Sequence, residues 1–185
     1  MYKRQAGDLL DASDWPVART ATLAGMAMFD VFARIEEGGV TNSYHWTEGA
    51  GATGTVDFNA NGSYEVSIHV NNLGKENCPS SYCGSGFNYL MDNGSLGNLT
   101  WSATQSATNK NPHFETAPTE DASGSGFSRV SYRTGGGRPS IYEYKAMSGS
   151  LYGTANHVEV GAQLEFTRQN INEMIMLRGT AVLSE

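Results

Sequence analysis

The sequence predicts an all-β fold, a closed antiparallel up-and-down β-barrel of about eight strands. Three observations predict it. Strict period-two alternation recurs along the chain, as where Tyr64, Val66, Ile68 and Val70 alternate with Glu65, Ser67, His69 and Asn71, and such a pattern cannot build an amphipathic helix. The 22 Gly among 185 residues, together with many Ser, Thr and Asn, suit short strands joined by many turns. The last apolar run, Met174 to Leu183, is apolar on both faces at its start, which predicts a strand covered or paired on both sides; a closed sheet supplies that pairing and leaves no edge.

A chain of this length forms one core. The barrel is assigned to residues 20–185, behind a lead-in at residues 1–19. Met1 to Gln5 resembles the translated read-through of a sequencing adapter found at the head of metagenomic reading frames; on that reading the natural start is missing, with any signal peptide or lipidation cysteine. Residues 6–19 are acidic and contain Trp15-Pro16, which fits a lead-in rather than a strand, with room for a helical turn at Asp8 to Ala12.

From Thr20 to Ile35 the chain is apolar, and periodicity leaves helix or strand open; Gly25 and the β-branched content favour a long first strand with a bend. Thr55 to Phe58 reads as a short strand, Asn59 to Gly62 as a turn and Tyr64 to Val70 as the returning strand. Leu99, Trp101 and Ala103 mark another. Between Gln105 and Pro139 the chain is polar and Gly-rich, with short strands at His113 to Thr116 and Phe127 to Arg133, while Thr116 to Gly126 reads equally as plain linkage. Val158, Val160, Ala162, Leu164 and Phe166 alternate in the next strand, and the final strand turns Ile175, Leu177, Gly179, Ala181 and Leu183 inward.

Charge and cysteines bound the function. A net charge of −7 argues against nucleic acid and against adsorption on anionic lipid. No apolar run approaches the ~20 residues of a helical transmembrane segment. Cys78 and Cys83, the only cysteines, stand either as a small loop disulfide made in an oxidising compartment or as two free thiols; the bridge is favoured, and its short loop would shape the chain locally.

No catalytic or metal-binding set is legible. His45, His69, His113 and His157 are scattered, and neither a His-Glu-x-x-His run nor a Gly-x-Ser-x-Gly elbow occurs. Asp57 and Glu65 share a hairpin but fall on its wet face. Gly135-Gly-Gly-Arg138 lacks the Lys-Ser/Thr of a phosphate loop. The aromatic clusters are the candidate ligand-binding residues: Tyr44, His45 and Trp46, placed in a loop after the first strand, with Tyr142 and Tyr144 as a second patch. The competing reading makes them plugs of a barrel mouth.

Two stretches carry a family resemblance. Gly54-Thr-Val-Asp-Phe58, a turn and Ser63 to Ile68 form the first. The second runs Gly149-Ser150-Leu151-Tyr152-Gly153, then a polar turn, then Val158-Glu159-Val160-Gly161 and Gln163 to Phe166. Together they resemble the β-barrel domain of the bacterial transferrin-binding protein B family, with Leu151 where that family usually has Phe and Thr154 where it has Pro. The motif's role is structural: the two glycines flank an apolar pair at a tight bend, and Gly161 lets the next strand curve.

What the resemblance implies is an exported, non-enzymatic binding protein, lipid-anchored at a Gram-negative outer surface or secreted, taking a host or environmental protein or a small ligand, with iron or haem acquisition as the candidate activity. The sequence itself calls for no cofactor; haem enters through the resemblance, with Tyr44 or His45 as candidate axial ligand. The alternative is a structural barrel that stabilises a larger cell-surface polypeptide and binds nothing itself.

Overall fold

A computed structural model describes residues 7–74, 76–83, 90–91, 95–106, 108–116, 127–130 and 141–185. Met1 to Gln5, the Gly135-to-Arg138 turn and most of the Thr116-to-Gly126 linkage lie outside the described residues. The strands are β1 (Thr20–Glu37), β2 (Val40–Phe58), β3 (Tyr64–Val70), β4 (Leu99–Gln105), β5 (His113–Glu115), β6 (Phe127–Val130), β7 (Ile141–Thr154), β8 (His157–Gln169) and β9 (Glu173–Ser184). Helix among the described residues is confined to α1 (Ser80–Cys83) and a 3-10 turn at Ala12–Asp14.

The pairing path is β4-β3-β2-β1-β9-β8-β7-β5, with β6 beside β7, and every ladder is antiparallel. The final strand is paired on both sides, with β1 and β8, and Ile175, Leu177, Ala181 and Leu183 are buried. At the seam β4 comes back to β5 and β7 without a ladder among the described residues; Gln105 Nε2 donates to the His113 carbonyl at 2.9 Å. The barrel is therefore nearly closed rather than closed.

β1 and β2 form one long hairpin, in register from Thr20↔Asp57 to Glu37↔Val40. Its turn is Gly38-Gly39, both in the left-handed region (φ 58° and 80°), the backbone that a tight two-residue hairpin turn demands. This corrects two sequence expectations. Thr55 to Phe58 is the end of a 19-residue strand, and Tyr44, His45 and Trp46 lie inside that strand rather than in a loop.

The interior is filled by side chains. Phe29 stacks on Trp101 with ring centroids 6.0 Å apart, and the Trp101 indole donates to the Glu165 carbonyl at 2.8 Å. Small inward residues let β1 and β9 approach closely: a Cβ on Gly25 would stand 2.0 Å from the Val182 carbonyl oxygen, and one on Gly179 would stand 2.2 Å from that of Met28. The Gly149–Gly153 motif is not a bend within the chain path. It lies in β7, paired residue by residue with β8, and only Gly153, at φ 99° just before the β7–β8 turn, has left-handed backbone.

Both barrel ends are covered. At the end where β1 begins, the lead-in crosses the mouth: Leu10 and Trp15 are buried, and Trp15 packs on Phe58 and Tyr64 at 5.7 and 5.6 Å. The helical turn expected at Asp8 to Ala12 starts later, because Asp8 and Leu10 are hydrogen-bonded along β7 and the Asp11 carboxylate caps the turn by accepting from Ser13 N. Arg19 closes this end with a two-pronged bond to Glu185 at 2.6 and 2.7 Å, and Glu185 also accepts Val158 N at 2.8 Å. At the other end β3 pairs only with Ala52 to Phe58, so among the described residues the far half of β2 has no strand on that side; Leu73, Tyr82, Leu90, Met91 and Leu96, from the stretch between β3 and β4, are buried.

Two outcomes test this architecture. Gly179→Ala should lower the urea midpoint by an amount equivalent to about 1–3 kcal/mol, since backbone blocks its Cβ, whereas Gly51→Ala, which meets nothing within 4 Å, should leave it unchanged or raised. The Arg19 guanidinium beside Glu185, helped by the Val158 N–H, holds the Glu185 carboxyl below the usual carboxylate range. A lowered folded-state pKa means stability that is present above the unfolded value of about 4.3 and lost as pH falls through the folded one. Glu185→Gln should therefore cost under about 1 kcal/mol at neutral pH for this partly exposed pair, and the difference from wild type, measured by urea melts across pH, should vanish in acid.

Candidate functional site

Alternation along β2 splits the first aromatic cluster. Tyr44 and Trp46 face inward, where Tyr82 packs on both with ring centroids 5.1 and 5.8 Å away. Trp46 is 7% exposed. His45 faces outward, stacked on Phe32 at 4.3 Å with its Nε2 3.6 Å from Asp30. No single ligand meets both Tyr44 and His45. Tyr142 and Tyr144 lie within β7, between β6 and β8, rather than on a loop. The register puts Tyr144 on the same outer rung as His45 but four strands away, about 19 Å along the sheet at the usual strand spacing. Tyr44, His45, Trp46 and Tyr144 do not converge on one surface.

The far end is instead organised by two acids that sequence reasoning passed over. Glu48 on β2 and Glu173 at the start of β9 are the buried charged side chains among the described residues, 2% and 3% exposed. Glu48 accepts Asn77 N at 2.9 Å. Glu173 accepts Leu90 N at 3.1 Å and the Tyr82 hydroxyl. Asn77 and Leu90 lie outside the ladders of the described residues, and the carboxylate oxygens supply their N–H groups with acceptors that a ladder would otherwise provide. Burial, and then the bond to Glu173, push the Tyr82 hydroxyl far above its ordinary pKa and keep it a donor. Cys78 and Cys83 are bonded across α1, Cα atoms 6.0 Å apart, holding Tyr82 between them. Arg168 closes the edge of the cap, donating to Glu143 at 2.6 Å and to the Leu90 carbonyl at 3.0 Å.

With the interior packed and both mouths covered, concave space lies on the outer wall. A groove of about 650 Å³ runs over β5, β7, β8 and β9. Its register is read from the ladders: one outer rung is Val182, Gly161, Ser150 and His113, and the next is Thr180, Gln163, Ser148 and Glu115. Gly161 keeps the floor low. The Tyr152 ring leans over it, with Cε2 3.3 Å from where a Gly161 Cβ would stand. His113 Nδ1 and Ser150 Oγ are hydrogen-bonded at 2.7 Å. Beside the groove rises an apolar ridge of Met26, Met28 and Val182, each a little over half exposed. Tyr152 and Gly161 were singled out from the sequence as structural motif residues; the structure adds that both face outward and shape this wall.

Among the described residues no group of three or more His, Cys, Asp or Glu stands close enough to hold a metal ion. Asp57 and Glu65 face each other across the β2–β3 ladder, exposed on the outer surface, and Asp57 accepts the Thr20 hydroxyl at 2.5 Å. No helix of the described residues is long and apolar enough to cross a membrane. No protein-family model matches the chain, and neither does any curated protein.

The buried placement of Trp46 has a measurable consequence. Its indole N–H has no hydrogen-bond partner among the described residues. Trp46→Ala should cost about 3–5 kcal/mol of stability in denaturant melts. Trp46→Phe keeps much of the volume and removes the orphan donor, so it should stay within about 1 kcal/mol of wild type.

Proposed function

We propose that this chain is an exported, non-enzymatic binding protein of the bacterial cell surface that recognises its ligand on the outer wall of the barrel, at the groove floored by Gly161. The observation that carries this reading is the distribution of space: side chains and two end caps fill the inside, and the 650 Å³ groove is open to solvent on the outside. A pocket of that size falls within the roughly 300–1,000 Å³ of small-ligand sites. The bridged pair Cys78–Cys83 agrees with export, because such bonds persist in oxidising compartments. The family resemblance points the same way, and loops and walls of a rigid barrel are where recognition is usually carried. A nucleophilic enzyme would need its base oriented by a third group; His113 Nδ1 does meet Ser150 Oγ at 2.7 Å, but among the described residues no carboxylate is bonded to the His113 ring to orient it.

Iron or haem capture, suggested by the resemblance, would have to use Tyr44 or His45 singly, since the two face opposite sides of the sheet. The structural-module reading has one observation in its favour: the exposed ridge of Met26, Met28 and Val182 is a surface that further polypeptide packed against the barrel would cover.

A thermal-shift and absorbance screen with haemin, ferric citrate, peptides and oligosaccharides separates these readings. The proposal expects at least one compound to raise the melting temperature and the rise to disappear in Gln163→Ala/Thr180→Ala. A Soret shift removed by His45→Phe or Tyr44→Phe, with the groove variant unaffected, would move the site to β2. Silence from every compound would leave the structural module standing.

A further inference from the structure

Resting on the outer-wall reading, we infer that the groove takes an uncharged, polyhydroxylated ligand, a neutral oligosaccharide laid along the barrel wall. Three features of the groove select that chemistry. First, among the described residues its lining holds no Lys or Arg, and the chain carries a net charge of −7, so a phosphate, sulfate or carboxylate ligand would find no counter-charge there and an unfavourable field. Second, among the described residues its one carboxylate, Glu115, is exposed and no metal-holding cluster exists, so a cation finds no cage there.

Third, the groups left available are neutral and serve as both donors and acceptors. Gln163 and Thr180 are directly opposite each other in the β8–β9 ladder, both exposed, and neither side chain has a hydrogen-bond partner among the described residues. An amide offers two donors and an acceptor, and a hydroxyl offers one donor and two acceptor lone pairs. A sugar hydroxyl presents the same mixed character and can be met on both sides. The Tyr152 ring, half-buried over Gly161, supplies the apolar surface that the C–H face of a pyranose ring can lie on. Gly161 contributes by lacking a side chain: any substituent there would rise into the groove against Tyr152.

The shape agrees with a chain rather than a single small molecule. The groove crosses from β5 to β9 on a wall open to solvent, so a ligand would be contacted along one side and left exposed on the other. Such a site binds through several modest contacts rather than one strong one.

The test is isothermal titration of the folded chain with cellohexaose, chitohexaose, laminarihexaose and maltohexaose, and with a heparin hexasaccharide as the charged comparison. At least one neutral oligosaccharide should bind. Gln163→Ala/Thr180→Ala should weaken that binding about tenfold or more, Gly161→Val should weaken it by obstruction with every polar group intact, and Tyr152→Phe should keep it where Tyr152→Ala does not. Circular dichroism and melting temperature of each variant verify the fold; should Gly161→Val melt early, the Gln163/Thr180 pair, which lies on the exposed wall, carries the decision. Preference for heparin, binding indifferent to these substitutions, or no binding of any neutral oligosaccharide overturns the inference. If the neutral oligosaccharides fail while a peptide or haemin binds and is lost in the groove variants, the ligand class is wrong and the outer-wall reading stands. If no class binds, both fall.

Discussion

The ladder between β1 and β9 is the contact on which the rest of this barrel depends. β1 opens the run β1-β2-β3-β4 and β9 closes the run β7-β8-β9, so their pairing is what makes one sheet of two. Inside that ladder Gly25 and Gly179 stand where any side chain would strike the opposing backbone, and Phe29 occupies the space that Gly179 leaves. The close approach draws the sheet into a narrow, coiled tube in which Phe29 meets Trp101 across the interior. A looser contact would leave the middle of the barrel wider than its small residues, Ala27, Ala52, Ala162 and Ala181, could fill.

A narrow middle leaves two mouths that strands alone do not cover, and the chain treats them differently. One mouth is closed by residues before β1, through Leu10 and Trp15 against Phe58 and Tyr64, with backbone bonds to β7. The other is closed by described residues between β3 and β4, where the Asn77 and Leu90 N–H groups end on buried carboxylates. A buried carboxylate is costly unless its oxygens are occupied, so Glu48 and Glu173 tie the cap to one position as much as they tie it down. The disulfide stiffens the turn that carries Tyr82 into that position. It bridges residues 5 apart and so contributes little to holding distant strands together.

Much of the strand arrangement could be read from alternation. β3 and β8 alternate cleanly because one face of each meets the core and the other meets water, and β9 does so from Leu177 onward, while Met174 and Met176 put apolar side chains on its outer face near its start. The far half of β2 escaped for a physical reason: its inward positions include Glu48, Ala50 and Ala52 and its outward ones Gly49 and Gly51, so the hydrophobic contrast that alternation needs is absent. The Gly38-Gly39 pair was the available signal for a tight hairpin, and with it Tyr44 to Trp46 would have been placed on a strand. The caps carry no period at all, since their burial comes from where they lie. The groove was equally hidden: Ser150 and Gly161 stand out along the chain only as structural motif residues and Val182 not at all, and the three become neighbours only through the register of two ladders.

Closing the sheet through β1 and β9 also sets the order in which the molecule can assemble. The hairpin of β1 and β2 and the meander of β7, β8 and β9 are local in sequence and bring few loop residues with them, whereas Met26 finds Val182 only after the whole intervening chain has been drawn in. Closure is thus a high-contact-order event, of the kind that places all-β proteins among the slower folders. Its entropic cost grows only with the logarithm of the chain between the two strands, about 0.6 kcal/mol for each doubling of a flexible loop. The stretch joining β4 to β7 is therefore where an evolving barrel of this plan can gain or lose residues most freely, leaving the closure itself intact.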